Sequence, residues 1–313
     1  MSVKASYFLM VLIWSTTPLG IVWSSESVTP TLAVLLRMSI GLVLAALVVA
    51  IANIRVPWHR RACFLYGYSS IGIYGGMLLS YMAAKTVPSG LISLMFGLAP
   101  ILSGLLAQRL LNEPKFSVVK LIALAFALLG LFLVSEKHMQ GSLMQMQGLA
   151  YVFMAVCFFS LSGVMIKRIK IAIHPMATTF GALVFVTPLF FITWWLFDGE
   201  LNTSTWTVKS LWSIVYLGVF GSLVGSLAYF HVLQKLPAST VALTTLITPS
   251  FAIGLGGWLN NEAIDQQLLI GAVIILLSLA VFQFGDGWLK KEPRLKSLTL
   301  NNSRHVAKRH YFF

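Results

Sequence analysis

The sequence predicts an all-α membrane protein with ten transmembrane helices in two inverted five-helix repeats. Hydrophobic residues make up 58% of the chain and charged residues only 10%, whereas a typical soluble domain carries about 25% charged residues. Ten apolar segments are long enough to cross a bilayer. Four pairs of residues recur at one offset of 149, namely Pro88 and Pro237, Pro100 and Pro249, Asn112 and Asn261, and Glu113 and Glu262. This shared register indicates a duplicated unit.

The ten apolar segments set the expected helices. A helix needs about 20 mostly apolar residues to cross the hydrocarbon core. The predicted spans are 5–24, 32–52, 62–84, 90–111, 118–135, 147–167, 176–197, 210–233, 239–259 and 267–288. The first span follows Lys4, as the apolar region of a signal peptide would. It is longer than such a region and no small-residue cleavage site follows it, so we expect it to be a helix.

The positive charges predict the orientation. With the amino terminus in the cytoplasm, 18 of the 22 Lys and Arg residues lie near the cytoplasmic ends of the spans or in the carboxyl-terminal tail. The far side then holds Lys85, Lys137 and Lys209. We therefore expect both termini in the cytoplasm of a bacterium and the spans in its inner membrane. The orientation also accounts for the net charge of +13, so no nucleic-acid partner is implied.

The duplication and the odd number of spans in each half define the expected domains. Residues 1–138 form the first repeat, and residues 139–288 form the second. Because each repeat has five spans, the second enters the membrane from the opposite face and the two are related by an axis in the membrane plane. Residues 289–313 form a basic cytoplasmic tail that we expect to be disordered. The tail either attracts anionic lipids of the inner leaflet or binds a specific partner.

Short motifs in both halves resemble one transporter family. The first half contains Leu12-Ile13-Trp14-Ser15, Leu36-Arg37, Val87-Pro88-Ser89-Gly90, Ala99-Pro100 and Asn112-Glu113-Pro114, and the second contains Phe159-Ser160, Leu236-Pro237-Ala238-Ser239, Thr248-Pro249 and Asn261-Glu262. In order and spacing they resemble the EamA family of the drug/metabolite transporter superfamily over residues 5–288. The resemblance implies two five-helix repeats, a central substrate cavity, alternating access and, in many members, export of amino acids or related metabolites. This chain has Ser15 where many members have Gly.

Two prolines in the middle of spans are the first candidates for the binding site. Pro100 and Pro249 each follow the proline that opens their span by twelve residues, which places them roughly 18 Å deep in the membrane. A mid-helix proline leaves the carbonyl four residues earlier without its helical partner, here the carbonyls of Phe96 and Thr245. Two matched breaks at this depth either line a water-filled cavity or are kinks whose free groups a neighbouring helix satisfies.

Polar and aromatic residues inside the spans are the other candidates. Trp14 lies midway along its span beside Ser15 and Thr17, either lining a cavity or packing in the core with the hydroxyls bonded to their own helix. Arg37 either binds an anionic group or snorkels to the outer interface or pairs structurally. The remaining candidates lie on polar faces of their helices or in the second-half copy of the Trp14-Ser15 motif. They either line the cavity or serve tight packing between helices. They are Tyr74, Tyr81, Ser160, Ser222 and Tyr229.

These features favour a secondary transporter of a small organic metabolite such as an amino acid, acting as an exporter or an exchanger. The cavity would lie at midplane between the repeats. No metal-binding, nucleophile or ATP-binding motif occurs, so we expect neither a cofactor nor an enzyme. A non-transporting scaffold or lipid-handling protein remains the main alternative, followed by a membrane-embedded enzyme.

Overall fold

The computed structural model describes residues 2–139, 143–169, 171–235 and 244–290. These residues contain helices and no strand. The helices are α1 (Val3–Ser24), α2 (Pro30–Ile51), α3 (Arg60–Ala83), α4 (Ser89–Phe96), α5 (Ala99–Leu110), α6 (Val118–Met139), α7 (Leu143–Arg168), α8 (Pro175–Phe197), α9 (Val208–Tyr216), α10 (Gly225–Lys235), α11 (Thr244–Asn260) and α12 (Gln266–Lys290). A π-helix, Leu217–Val224, joins α9 to α10.

The helices confirm the predicted all-α membrane fold. In the described residues nine helical segments are long and apolar enough to cross a membrane. The fourth span consists of α4 and α5, and the eighth consists of α9, the π-helix and α10. The predicted span 239–259 corresponds to α11, and its first residues lie outside the described part. The predicted repeat of Pro237 also lies there, as does the tail beyond residue 290.

Prolines begin two of the spans at equivalent places. Pro30 and Pro175 occupy the first turns of α2 and α8, where a missing backbone N–H costs nothing because it would have no helical partner. They differ in number by 145. Trp14-Ser15 and Phe159-Ser160 show the same offset of 145, so the first two spans of each half correspond residue by residue.

The repeated Asn-Glu sequences fold into repeated turns. Asn112 and Asn261 have φ of 53° and 51°, in the left-handed region that Asn tolerates better than most residues with a side chain. In both turns the next backbone N–H donates to a carbonyl six residues earlier. Glu113 donates to Ala107 at 3.3 Å, and Glu262 donates to Gly256 at 3.1 Å. The 149-residue offset therefore relates backbone conformation as well as sequence.

Packing between helices follows the same symmetry. Helices α2 and α8 pack against each other, as do α6 and α12, and α4 and α11. In each pair the partners occupy equivalent places in the two halves. The contact of α3 with α7 has its counterpart in the contact of the eighth span with α1. The core therefore lies largely between the repeats.

Glu262 shows that the repeats are inverted. Its carboxylate, just beyond the end of α11, accepts hydrogen bonds from the backbone N–H groups of Ser89 at 3.1 Å and Gly90 at 3.3 Å. These groups begin α4, so α11 ends where the fourth span begins. The fourth span continues for roughly 30 Å before its own end. Asn112 and Asn261 consequently lie at opposite ends of the bundle.

Candidate solute-binding site

The fourth span is interrupted near its middle. Helix α4 ends at Phe96 and α5 begins at Ala99, because Pro100 cannot donate to the carbonyl of Phe96. A residue of the other repeat reaches this break, since the Ser160 hydroxyl donates to the Ala99 carbonyl at 3.3 Å. The Phe96 ring also packs edge-on against Phe159, with centroids 5.2 Å apart. Phe96, Pro100 and Ser160 are thus brought together.

The expected matching break in the ninth span is wrong for the described residues. Helix α11 runs from Thr244 through Pro249 without interruption. The difference follows from the residue three positions before each proline. Gly97 precedes Pro100, whereas Leu246 occupies the equivalent position before Pro249, and Gly costs a helix about 1 kcal/mol relative to Ala. The ninth span, which has Leu246 at this position, therefore remains helical around Pro249 although one backbone hydrogen bond is lost.

The fourth and ninth spans nevertheless meet at the break. A Cβ atom at Gly97 would lie 3.6 Å from the Thr245 carbonyl oxygen. Thr245 and Phe96, whose carbonyls the proline spacing singled out, thus lie on chain segments in direct contact. Pro249 is buried within α11.

A second interruption, the π-helix in the eighth span, was not predicted. It faces α1 and α2. π-Helical turns are rare and occur frequently at functional sites. The signal in the sequence is the glycine series Gly218, Gly221 and Gly225, since glycine weakens regular α-helix. The apolar composition of the span does not reveal the π-helix, because a π-helix and an α-helix in a membrane have the same composition.

Arg37 lies against the π-helix and is only 2% exposed. Its Nε donates to the Ser222 hydroxyl at 3.0 Å, and one terminal nitrogen donates to the Met77 sulfur at 3.6 Å. Ser222 in turn donates to the Met38 sulfur at 3.6 Å. Of the three alternatives for Arg37, snorkelling to the interface is wrong, because the neighbouring helices cover its guanidinium. The hydrogen bonds to Ser222 and Met77 agree with structural pairing in this conformation.

The first span contacts the eighth through aromatic and hydroxyl groups. The Trp14 ring lies 5.4 Å from the Tyr229 ring, with an interplanar angle of 35°. Ser15 and Thr17 donate to the carbonyls of Val11 and Ile13 in their own helix, both at 2.7 Å. Thr16 was not among the predicted site residues, yet its hydroxyl lies 2.6 Å from that of Tyr216 in the other repeat. Trp14 and Thr16 therefore make the contacts between repeats, whereas Ser15 and Thr17 do not use their hydroxyls for this purpose.

The two tyrosines of α3 have different surroundings. The Tyr74 hydroxyl lies 2.6 Å from that of Thr193 in α8. Tyr81 is fully buried, and its hydroxyl has no hydrogen-bond partner. Tyr81 belongs to the apolar cluster that also contains Leu32 and Met38 of α2. Burying a hydroxyl without a hydrogen-bond partner lowers the stability of the folded protein. Tyr81 differs in this respect from the candidates whose polar groups are hydrogen-bonded.

Concave surface occurs away from these residues. A depression of about 500 Å³ is lined by Leu133, Asp265, Gln266, Gln267 and Ile270. A narrow space of about 30 Å³ lies beside it, near Pro88. Neither is lined by any of the candidate residues. Arg37 is buried between helices in this conformation, whereas Trp14 and Pro100 are half-buried.

Comparison with known proteins gives one family. The model of the EamA-like transporter family matches the chain twice, at residues 5–136 and 146–284. The uncharacterized transporter YdfC of Bacillus subtilis is 26% identical over 88% of this chain and 86% of its own length. Protein PagO of Salmonella typhimurium is 26% identical over 90% of this chain and 92% of its own. The probable amino-acid metabolite efflux pump of Escherichia coli is 22% identical, with coverages of 90% and 95%.

A solved structure shares the fold. One chain of known crystal structure aligns with a TM-score of 0.63 and 18% sequence identity, and covers 90% of this chain and 96% of its own. The double match of the family model agrees with the duplication found in the helix packing.

Proposed function

Because the chain belongs to the EamA-like transporter family, we propose that it is a secondary transporter of a small organic metabolite such as an amino acid. The observation that carries the proposal is that Trp14, Arg37 and Ser160 each contact the opposite half of the chain. Trp14 meets Tyr229, Arg37 meets Ser222, and Ser160 reaches the break at Pro100. A solute bound among these groups would touch both repeats, as alternating access requires.

The interruptions support a site at this depth. The break between α4 and α5 and the π-helix both depart from regular α-helix inside transmembrane spans. Irregular backbone within the membrane is tolerated where protein covers it or where it lines a cavity. In the packed conformation neighbouring side chains cover these segments, and in an open conformation the solute would contact them.

The proposed direction is export, with both termini in the cytoplasm. The name of one relative, a probable amino-acid metabolite efflux pump, supports an amino-acid-like solute and export. The distribution of Lys and Arg supports the orientation. The basic tail would then face the anionic inner leaflet.

Flux in sealed vesicles tests the proposal. Purified protein in proteoliposomes preloaded with one unlabelled neutral amino acid at a time is expected to accumulate the same labelled amino acid by counterflow. Protein-free liposomes are the control. Exchange of no amino acid or related metabolite in a broad panel would instead favour the scaffold or lipid-handling alternative.

A further inference from the structure

We infer that Arg37 is the anion-binding residue of the transport site and that the solute presents a carboxylate to it. This inference rests on the proposed transport function and adds the charge of the solute group that is bound. It depends on three independent observations: burial of the Arg37 guanidinium without an acidic partner, absence of a matching charge in the second repeat, and a buried hydroxyl without a partner one helical turn from Met77, which contacts Arg37.

The first observation is a buried charge without an acidic partner. Arg37 is 2% exposed, and its hydrogen-bond acceptors are a hydroxyl and a thioether. Ion pairs of described residues include Lys120 with Asp286 and Lys209 with Glu26, and no carboxylate is among the described partners of Arg37. Burying a cation is expensive unless an anion compensates it. A bound carboxylate would supply the missing negative charge.

The second observation is that the fold does not need a cation at this place. The 145-residue offset that relates Pro30 to Pro175 makes Ala182 of α8 the counterpart of Arg37. Ala182 is fully buried, and its carbonyl accepts a hydrogen bond from the Ser70 hydroxyl at 3.1 Å. The second repeat therefore packs this position of its helix without a charge. The arginine is an addition to the shared architecture, which favours a role in recognition.

The third observation is the unpaired hydroxyl of Tyr81. Tyr81 follows Met77, which contacts the Arg37 guanidinium, by four residues on the same face of α3. Its hydroxyl is buried and without a partner. An arginine offers five N–H donors in a plane that matches a carboxylate, and a tyrosine hydroxyl adds another. A carboxylate entering beside Met77 would be bound by Arg37 and Tyr81 together.

Binding requires the eighth span to move away from Arg37. A Cβ atom at Gly221 would lie only 2.8 Å from a terminal guanidinium nitrogen, so the π-helix covers the charge in this conformation. Ser222 holds the Nε in the meantime. When the two repeats separate, the solute carboxylate replaces this neutral hydroxyl as the acceptor.

Matched pairs of solutes test the inference on the full-length protein in proteoliposomes. The probes are L-leucine with L-leucinamide, L-threonine with L-threoninamide, and L-phenylalanine with L-phenylalaninamide. We expect the wild type to exchange at least one of the three acids in preference to its amide. R37Q is expected to weaken recognition of that acid by about 10- to 100-fold, the range of a charged hydrogen bond, and to abolish the preference.

The matched control is R61Q, because Arg61 is exposed at the start of α3 and the substitution is the same. It is expected to leave the preference unchanged. Should R37Q fail to fold, R37K decides, since it keeps the charge but loses the planar pair of donors. It should weaken recognition of the acid more than of the amide.

Equal exchange of acids and amides by the wild type overturns the inference while leaving the transport function intact. A preference for acids that persists in R37Q, or an equal effect of R37K on acid and amide, also overturns it. If none of the six compounds is exchanged, the inference fails, and the broader panel described above decides whether the transport function fails with it.

Discussion

At the scale of single residues, some contacts between the repeats are made by side chains that are neither fully buried nor exposed on the outer surface. Trp14 illustrates this position, because its half-buried ring lies against Tyr229 while other tryptophans face outward. Trp212, for example, is 69% exposed. Substituting these two residues separates a role between the repeats from a role at the lipid surface.

Replacing Trp14 with Ala is expected to lower transport. In the proposed site the Trp14 ring stacks on the solute, and an aromatic contact is worth about 0.5–1.5 kcal/mol beyond its buried area, so the apparent solute affinity should fall roughly 2- to 10-fold. Transport kinetics in proteoliposomes provide the measurement, with Trp212→Ala as the control. If the two variants lose activity equally, Trp14 has no special place in the solute path.

The Ser160 hydroxyl provides a second test at this scale. Ser160→Ala removes the side-chain hydrogen bond to the Ala99 carbonyl at the break, and a hydrogen bond of this kind contributes about 0.5–1.5 kcal/mol to stability. Thermal unfolding of purified protein should show the loss of stability. Ser278→Ala is the matched control, because the Ser278 hydroxyl only bonds to a carbonyl of its own helix, and it should change little. Equal melting temperatures for both variants would contradict this role.

At the scale of helices, the start of the fourth span is held by the other repeat. Its start is capped by a residue of the other repeat, Glu262, rather than by a side chain of its own turn. Asn260 donates to the same carboxylate at 3.1 Å and accepts from the Trp23 indole at 2.8 Å. The first, fourth and ninth spans are therefore joined at this end. The sequence gives no sign of this link, because the partner is 173 residues away.

Removing the Glu262 carboxylate should weaken this junction. Glu262→Ala leaves two backbone N–H groups at a helix start without their acceptor, which costs about 0.5–2 kcal/mol by analogy with helix capping. The melting temperature of the purified protein is the readout. Glu200→Ala, at an exposed residue of the loop after α8, serves as control. A stability loss confined to Glu262→Ala supports the cap, and an unchanged melting temperature argues against it.

At the scale of the whole molecule, inversion of the repeats has a direct consequence for topology. The turns after the fourth and ninth spans lie at opposite ends of the bundle, so exposed residues beyond them should face different compartments. Lys115 and Ala263 are such residues. Their backbone is not in the left-handed region, so cysteine introduces no strain there.

Labelling of cysteines is expected to reveal this difference. In a chain lacking Cys63 and Cys157, Ala263→Cys should react with a membrane-impermeant maleimide in intact cells. Lys115→Cys should react only after permeabilisation, because the proposed orientation puts that turn in the cytoplasm. A cysteine at Asn301, in the tail, is expected to label like Lys115→Cys, because the proposed orientation puts both in the cytoplasm. Labelling of both turns from one side would contradict the inverted arrangement.

Much of the architecture could be predicted from the sequence because it depends on local composition. Apolar length alone defines the spans, and the offset of 149 predicts equivalent turns, confirmed by the matching φ of Asn112 and Asn261. Pro100 was rightly expected to interrupt a helix, since the missing N–H is a property of the residue itself. The sequence did not predict that the helix around Pro249 stays intact. Gly97 and Leu246 occupy equivalent positions before the two prolines, and their effect depends on the balance between helix propensity and packing.

The candidate site could be predicted only as a set of residues. Arg37, Ser222 and Tyr81 were each chosen for polar chemistry inside a span, but nothing in the sequence indicated that Arg37 contacts Ser222, 185 residues away. The π-helix was missed for a related reason, since its composition is that of any apolar helix.

The sequence by itself determined that this protein lies in the membrane, that it is duplicated and which family it resembles, because these follow from apolar segments and the register of repeated motifs. Only the tertiary structure decided that Arg37 is buried against the π-helix and that Glu262 caps the opposite repeat. Both depend on contacts between residues far apart in the chain, which helix packing in three dimensions creates.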